Sequence, residues 1–192
     1  MSRLRALLPT PVKRLVWEIK YGALGYSAGA AAADVVRQLS LRLSDSSSVL
    51  ELGCGAGSLR DGMRAQGWQG WYCGVDISRQ AIRAAERKRD QRTSVLVSDI
   101  ESFQTPFRWD AIVMVESIYY INVQKAAEVL RSLSEKLTDS GFLLIRFHDL
   151  EKHRAYIEMI QSEFSQTEKV DQQLFLVRSV RRDVHGPLSI AR

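Results

Sequence analysis

Two cysteines, Cys54 and Cys73, are all that 192 residues contain. Neither stands in a CxxC pair, which argues against a thiolate zinc site and a disulfide framework, and so sparse a pair fits a reducing compartment. Histidine is almost as rare. His148 and His153 lie five apart and make no HExxH spacing, so no metal site is expected. No nucleophile elbow is read, since the one GxSxG match, GYSAG at 25–29, follows no predicted strand. No apolar run approaches the ~20 residues of a membrane-spanning helix, so stable membrane insertion is not expected. The opening residues, MSRLRALLPTPVKRL, are basic, but their apolar run ends at Leu8 without a small-residue cleavage site, and no signal peptide is read there. From these absences a cytoplasmic protein is expected.

What is present has the composition of a globular protein, with enough length for one substantial core and too little for two ordinary domains. The net charge of +5 gathers at the N-terminus (Arg3, Arg5, Lys13, Arg14, Lys20) and in SRQAIRAAERKRDQR, residues 78–92. Such a balance permits a polyanionic partner without requiring one. A solvated helix face explains it equally well.

Thr10 and Pro11 read as a helix start, and Val12, Leu15, Val16 and Ile19 recur at helical spacing as far as Gly22. Gly22, Gly25 and Gly29 loosen the chain before a second helix over 31–43. Strand and helix patterns then alternate. Strands are read at 48–52, 71–75, 94–98, 109–116 and 141–147, helices at 58–66, 78–89, 124–137 and 150–164, and a closing hairpin within 166–180. Nearly all-apolar strands between helices predict a parallel sheet buried on both faces, a doubly wound, mostly parallel seven-stranded α/β fold with an antiparallel C-terminal strand. The expected division is N-terminal helices over 1–44, serving as lid and acceptor pocket, a core over 45–180, and a tail over 181–192.

The segment VLELGCGAGSL sets Gly53, Gly55 and Gly57 between a buried strand and a helix start. A glycine loop there lets backbone approach a ligand closely and aims unpaired N–H groups and a positive dipole end at it. Two kinds of ligand use this arrangement. Dinucleotide folds carry GxGxxG, whereas here Glu51 precedes the first glycine and the third glycine comes one place earlier. The second strand ends in Asp76, able to accept both hydroxyls of a ribose, and the third in Asp99, able to accept from an exocyclic amine. Either acid could instead only cap the turn that follows it.

The ordered segments VLELGCGAGSL, GVDISRQAI, VSDIESF, WDAIVMVESIYYI and LTDSGFLLIRF resemble the motifs of class I S-adenosylmethionine-dependent methyltransferases over roughly residues 49–147. The resemblance implies S-adenosylmethionine as cofactor. It implies that Gly53, Gly55 and Gly57 line its methionine part, that Glu51 helps fix its amino group, and that Asp76 holds the ribose. Ile77 and Ile100 would pack on the adenine, Asp99 would accept its amine, and Glu116 would lie near the methionine end or the acceptor. Tyr21 or Tyr26 would close over the site.

Methyl transfer is an in-line displacement from a cationic sulfur, so the main task is alignment in a water-poor pocket. An oxygen acceptor needs a base, while an amine needs only to arrive unprotonated. The candidates are Glu116, Tyr119 and His148, at or just past strand ends, with Tyr119 read as lining the acceptor pocket, Tyr120 as core packing, and a capping role as the alternative for His148. The fourth strand lacks the Asp-Pro-Pro-Tyr type of motif of amino-directed DNA methyltransferases. The segment VESIYYI and the short C-terminal half are more distantly similar to nodulation-type N-methyltransferases, which act on an amino sugar. The function expected is therefore methyl transfer to an oxygen or nitrogen of a small molecule. RNA or protein methylation through the basic faces stands second, with nucleic acid the less favoured partner, and a non-catalytic cofactor-binding module third.

Overall fold

Strand patterning begins at Ser48, after two amphipathic helices. The computed structural model describes residues 8–22 and 33–178. Helices α1 (Thr10–Gly22) and α2 (Ala33–Ser40) precede β1 (Ser48–Leu52), α3 (Ser58–Ala65), β2 (Trp71–Asp76), α4 (Arg79–Glu86), β3 (Thr93–Val97) and β4 (Trp109–Val115). A single 3-10 turn (Ile118–Tyr120), α5 (Val123–Ser134), β5 (Leu137–Arg146), α6 (Arg154–Glu163) and the hairpin of β6 (Thr167–Asp171) and β7 (Leu174–Arg178) complete it.

The seven strands form one sheet in the order β3-β2-β1-β4-β5-β7-β6. β1 to β5 are parallel neighbours, and β7 runs antiparallel between β5 and β6. The doubly wound fold expected from the sequence is present, with the antiparallel strand one place in from the edge. Strand order reverses between β1 and β4. Loops on either side of that reversal diverge at the carboxyl ends of the strands and leave a crevice between them.

Alternation along β1 feeds two cores. Leu50 and Leu52 pack with Ile112, Met114, Leu130 and Ile145 under α5 and α6, while Val49 packs with Val35, Leu39, Met63 and Val113 under α2 and α3. Each fully buried side chain of this size contributes ~1.5–3 kcal/mol relative to exposure. Local signals end the helices. Ser78 accepts the Ala81 N–H at 3.2 Å and caps α4, and Asn122 accepts the Lys125 N–H at 2.8 Å and caps α5.

Two expectations need correction. β3 reads as a strand buried on both faces, but it is an edge strand and leaves Leu96 48% and Val97 41% exposed. The second lies after α5, which stops at Ser134 rather than 137. β5 begins at Leu137 and carries a bulge, its register to β4 jumping from Trp109↔Leu137 to Ala111↔Phe142. Thr138, Asp139 and Ser140, left between helix and strand in the sequence reading, belong to this strand. A Cβ at Gly141 would lie 2.8 Å from the Trp109 carbonyl oxygen, so only glycine allows the strands to meet there.

Candidate active site

A cavity of about 310 Å³ opens at the strand-order reversal, at the carboxyl ends of β1, β2, β3 and β4. Glu51, Gly53, Gly55, Asp76, Ile77, Asp99, Ile100 and Glu116 all line it. Gly57 does not. It sits at the N-cap of α3 with φ 81°, packed against the buried Arg60.

The glycine loop is held from below. Gly53 and Cys54 both donate their N–H to the Val75 carbonyl, at 2.7 and 3.0 Å. Gly53 has φ +84°, and a Cβ there would stand 2.5 Å from the Cβ of Ser117, whose hydroxyl donates to the Leu52 carbonyl at 2.6 Å. Here glycine is required twice, by conformation and by the close approach of β4. Cys54 lies buried with its Sγ where a Cβ at Gly74 would come within 2.8 Å of it, so Gly74 makes room for the thiol. Burial pushes both thiols up, Cys73 to about 11, so neither is a thiolate nucleophile near neutral pH.

The acids at the strand ends do two jobs. Asp76 accepts the Gly55 N–H at one carboxylate oxygen and the Ser78 N–H at the other, each at 2.9 Å, which ties the loop to the start of α4. A carboxylate has about four acceptor positions, so capping leaves room for two hydroxyl donors from the cavity side. Burial raises the Asp76 carboxyl, and the Ser78 and Gly55 N–H groups pull it back down. Asp99 accepts the Thr10 hydroxyl at 2.7 Å and the Glu101 N–H at 3.1 Å.

Glu51 is 3% exposed, and its carboxyl accepts the Tyr72 hydroxyl. Burial is the main cause that raises it from 4.5 to about 8, with the Tyr72 bond opposing. Folded protein therefore retains a proton that the unfolded chain releases. This contribution to stability is complete below about pH 4.5 and is lost as pH rises to about 8. Glu51→Gln, neutral throughout, is expected to gain melting temperature over wild type from pH 5 to about pH 8 and then to level off, as read by calorimetric melts. A difference constant across that range would contradict the assignment.

α1 roofs the cavity with Lys13, Trp17 and Tyr21. Its outer anchor is Glu18, whose carboxylate accepts the Arg79 N–H at 2.7 Å, the Gln80 N–H at 3.1 Å and the Ser78 hydroxyl at 3.3 Å, capping α4 from another helix. Lys13 pairs with Glu101 at 2.6 Å, and Trp17 meets Tyr120 edge to face at 5.0 Å. Of the two tyrosines proposed as lids, Tyr21 lines the cavity and Tyr26 lies outside the described residues.

At the far side stand Glu116 and Arg146. Glu116 has φ 54°, a left-handed conformation in a residue other than glycine. The Arg146 guanidinium donates to Glu116 and, through Nε, to Asp34 of α2 at 2.9 Å.

Three placements correct the sequence reading. Tyr120 lines the cavity, whereas Tyr119 is 3% exposed and belongs to the core, reversing their expected places. The 3-10 turn, where consecutive residues point about 120° apart, produces the exchange. His148 is exposed and does not line the cavity. It lies with Nδ1 2.9 Å from the Tyr119 hydroxyl, and that ring stacks on buried His153 at 3.9 Å. Burial lowers His153 to about 4. Reasoning from sequence also missed Lys13, Trp17, Ser117 and Arg146. No local motif marks them, since contacts with residues 30–112 positions away bring them to the site.

A family model described as a methyltransferase domain matches residues 25–185. The chain belongs to this methyltransferase family. S-adenosylmethionine is its cofactor, and the residues fit one: a glycine loop too crowded for side chains, two strand-end carboxylates and two isoleucines share a single cavity. Similar solved structures include the N-methyltransferase NodS from Bradyrhizobium japonicum in complex with S-adenosylhomocysteine, 23% identical over 76% of this chain and 84% of that one, with a TM-score of 0.59. The sugar N-methyltransferase KedS8 from Streptoalloteichus is 18% identical over 85% and 93%, with a TM-score of 0.60. The magnesium protoporphyrin IX methyltransferase ChlM from Synechocystis, with bound S-adenosylmethionine, is 15% identical over 91% and 99%, with a TM-score of 0.64. At these identities the likeness is one of fold. No curated protein sequence matches the chain. Among the described residues no cluster of His, Cys, Asp or Glu is placed to hold a metal ion, and no helix is long and apolar enough to cross a membrane.

Proposed function

We propose that this methyltransferase acts on the nitrogen of a small amine. The observation that carries the reading is the set of groups at the acceptor end of the cavity: Glu116 with Arg146, the aromatic pair Trp17 and Tyr120, and no histidine among the described lining residues. A neutral amine attacks the methyl carbon in line with sulfur, the C–N bond forms as the C–S bond breaks, and sulfur leaves as a neutral thioether. The methylated nitrogen then sheds its proton to solvent or a carboxylate. An amine needs no base for attack, only capture and loss of its first proton, and a carboxylate at the mouth serves both. A cavity of about 310 Å³ roofed by α1 suits a small acceptor.

Within it, Asp76, Asp99, Ile77 and Ile100 would hold the adenosine part of the cofactor and the Gly53–Gly55 backbone the methionine part, with Glu51 facing the amino group. Several solved neighbours are named N-methyltransferases, one of them a sugar N-methyltransferase, and another is named an amino pentose methyltransferase, which supports a nitrogen acceptor. The test is transfer of labelled methyl from S-adenosylmethionine to glucosamine and tyramine, each set against its hydroxyl counterpart, glucose and tyrosol. Transfer to amines alone is expected. Transfer to the hydroxyl compounds alone, or only to RNA or protein, would overturn the reading.

A further inference from the structure

Arg146 is the last residue of β5 and lies in register with Val115 of β4 and Leu174 of β7. Its backbone already belongs to the sheet, and its carbonyl accepts the Glu116 N–H at 3.1 Å. The guanidinium is therefore free to act beyond the strand. Nε donates to both oxygens of Asp34 at 3.2 and 2.9 Å, Nη2 donates to the Gln173 side-chain oxygen at 3.1 Å, and Nη1 donates to Glu116 Oε1. One side chain thus binds the first turn of α2, the β6–β7 connection and the end of β4 together.

Glu116 pays for its place with a left-handed backbone at φ 54°. A residue other than glycine keeps such a conformation only where surrounding contacts impose it, and such residues concentrate where side-chain aim matters. Here the backbone bond and the guanidinium supply those contacts. With Oε1 taken by Arg146, Oε2 has no hydrogen-bond partner among the described residues, and the side chain is 39% exposed into the cavity mouth. Two carboxylates against one guanidinium leave a formal charge of −1. Asp34 does not line the cavity, and three of its roughly four acceptor positions are taken, by Nε at both oxygens and by the Val35 N–H at 2.9 Å. The uncompensated acceptor is Glu116 Oε2.

We infer that Glu116 Oε2 is the ammonium-binding subsite for the methyl acceptor, and that Arg146, buttressed by Asp34, is the positioning residue that aims it. The ligand class is a primary or secondary amine arriving as its cation. This rests on the reading of the chain as an N-methyltransferase. Lysine cannot replace Arg146 fully, because a single ammonium cannot span Asp34, Gln173 and Glu116 in one plane.

The experiment uses the full chain saturated with S-adenosylhomocysteine. Glucosamine, tyramine, glucose and tyrosol are titrated calorimetrically into wild type, Glu116→Gln and Arg146→Lys, with melts and S-adenosylhomocysteine affinity measured for each. Glu116→Gln is expected to weaken binding of whichever amine the wild type methylates by about tenfold to a hundredfold, and in parallel methyl-transfer kinetics to place the larger share of the loss in KM rather than kcat. Arg146→Lys is expected to weaken it by a smaller factor in the same direction. Cofactor-product affinity is expected to stay within about twofold, and binding of the hydroxyl counterpart to be unmoved. If wild type methylates an amine and both variants bind that amine as wild type does, the subsite is overturned. A parallel loss of S-adenosylhomocysteine affinity would reduce Arg146 to a structural role and overturn it too. Failure of the wild type to methylate any amine is a separate outcome, which removes the nitrogen reading and this subsite with it.

Discussion

Gly53→Ala is expected to lower the melting temperature by about 5–20 °C and to remove measurable S-adenosylhomocysteine binding. Two costs combine. At φ +84° an L side chain is strained, by ~1–3 kcal/mol, and its Cβ would stand 2.5 Å from Ser117 Cβ. Ser117 cannot swing aside, because its buried hydroxyl holds the Leu52 carbonyl at 2.6 Å and joins the ends of β4 and β1. Either the loop or the end of β4 must move, and both line the cavity. Gly67 supplies the control. Its φ is +89°, yet nothing lies within 4 Å of a Cβ built there, so Gly67→Ala should cost only the strain and leave binding intact. Equal melting temperatures for the two variants would contradict the crowding argument.

Asp76→Ala is expected to weaken S-adenosylhomocysteine by at least about a hundredfold. The carboxylate accepts from Gly55 and Ser78 on one side and, on the proposed reading, would accept two ribose hydroxyls on the other. Charge-assisted hydrogen bonds contribute roughly 1.5–3 kcal/mol each, so the loss of two ligand bonds accounts for that factor before any loosening of the loop. Melting temperature near neutral pH should change little by comparison. Removing a carboxyl that burial has pushed up relieves a desolvation cost while it deletes two backbone bonds. A variant that melts like wild type and binds within threefold of it would show that Asp76 is only a cap.

The parts of the site legible in the sequence are those that lie next to their own punctuation. Gly53 and Gly55 follow an apolar strand directly, and Asp76 and Asp99 stand at strand ends, so periodicity alone places them at one edge of the sheet. Lys13, Trp17 and Arg146 carry no such mark. The pattern around Trp17 reports an amphipathic helix and nothing about which helix end it caps; Glu18 decides that, through α4, 61 residues on. Arg146 reads as a polar interruption in GFLLIRF. Its meaning comes from Asp34 and Glu116, on two other elements.

The exchange of Tyr119 and Tyr120 shows where pattern reasoning stops. Both lie beyond the strand read at 109–116, where alternation assigns no face; the chain leaves the sheet at Glu116 with positive φ, and the turn after it sets which neighbour faces the cavity. The bulge in β5 has the same origin. Asp139 and Ser140 stand outside the strand read at 141–147, and only the pairing of Leu137 with Trp109 shows that the strand begins before them. Arg60 is a third instance. A charge in the first turn of α3 reads as solvated, yet it is 1% exposed, donating to the Ala85 carbonyl at 3.0 Å and to Asp61 at 2.6 Å.

The central claim is that the cavity at the strand-order reversal binds S-adenosylmethionine through the glycine loop and the strand-end acids. Calorimetric titration of the intact chain with S-adenosylhomocysteine, in parallel with NAD, tests it most directly. One site of micromolar affinity for S-adenosylhomocysteine and no heat from NAD is the predicted result. Binding of NAD with no response to S-adenosylhomocysteine would contradict the account and assign the glycine loop to a dinucleotide.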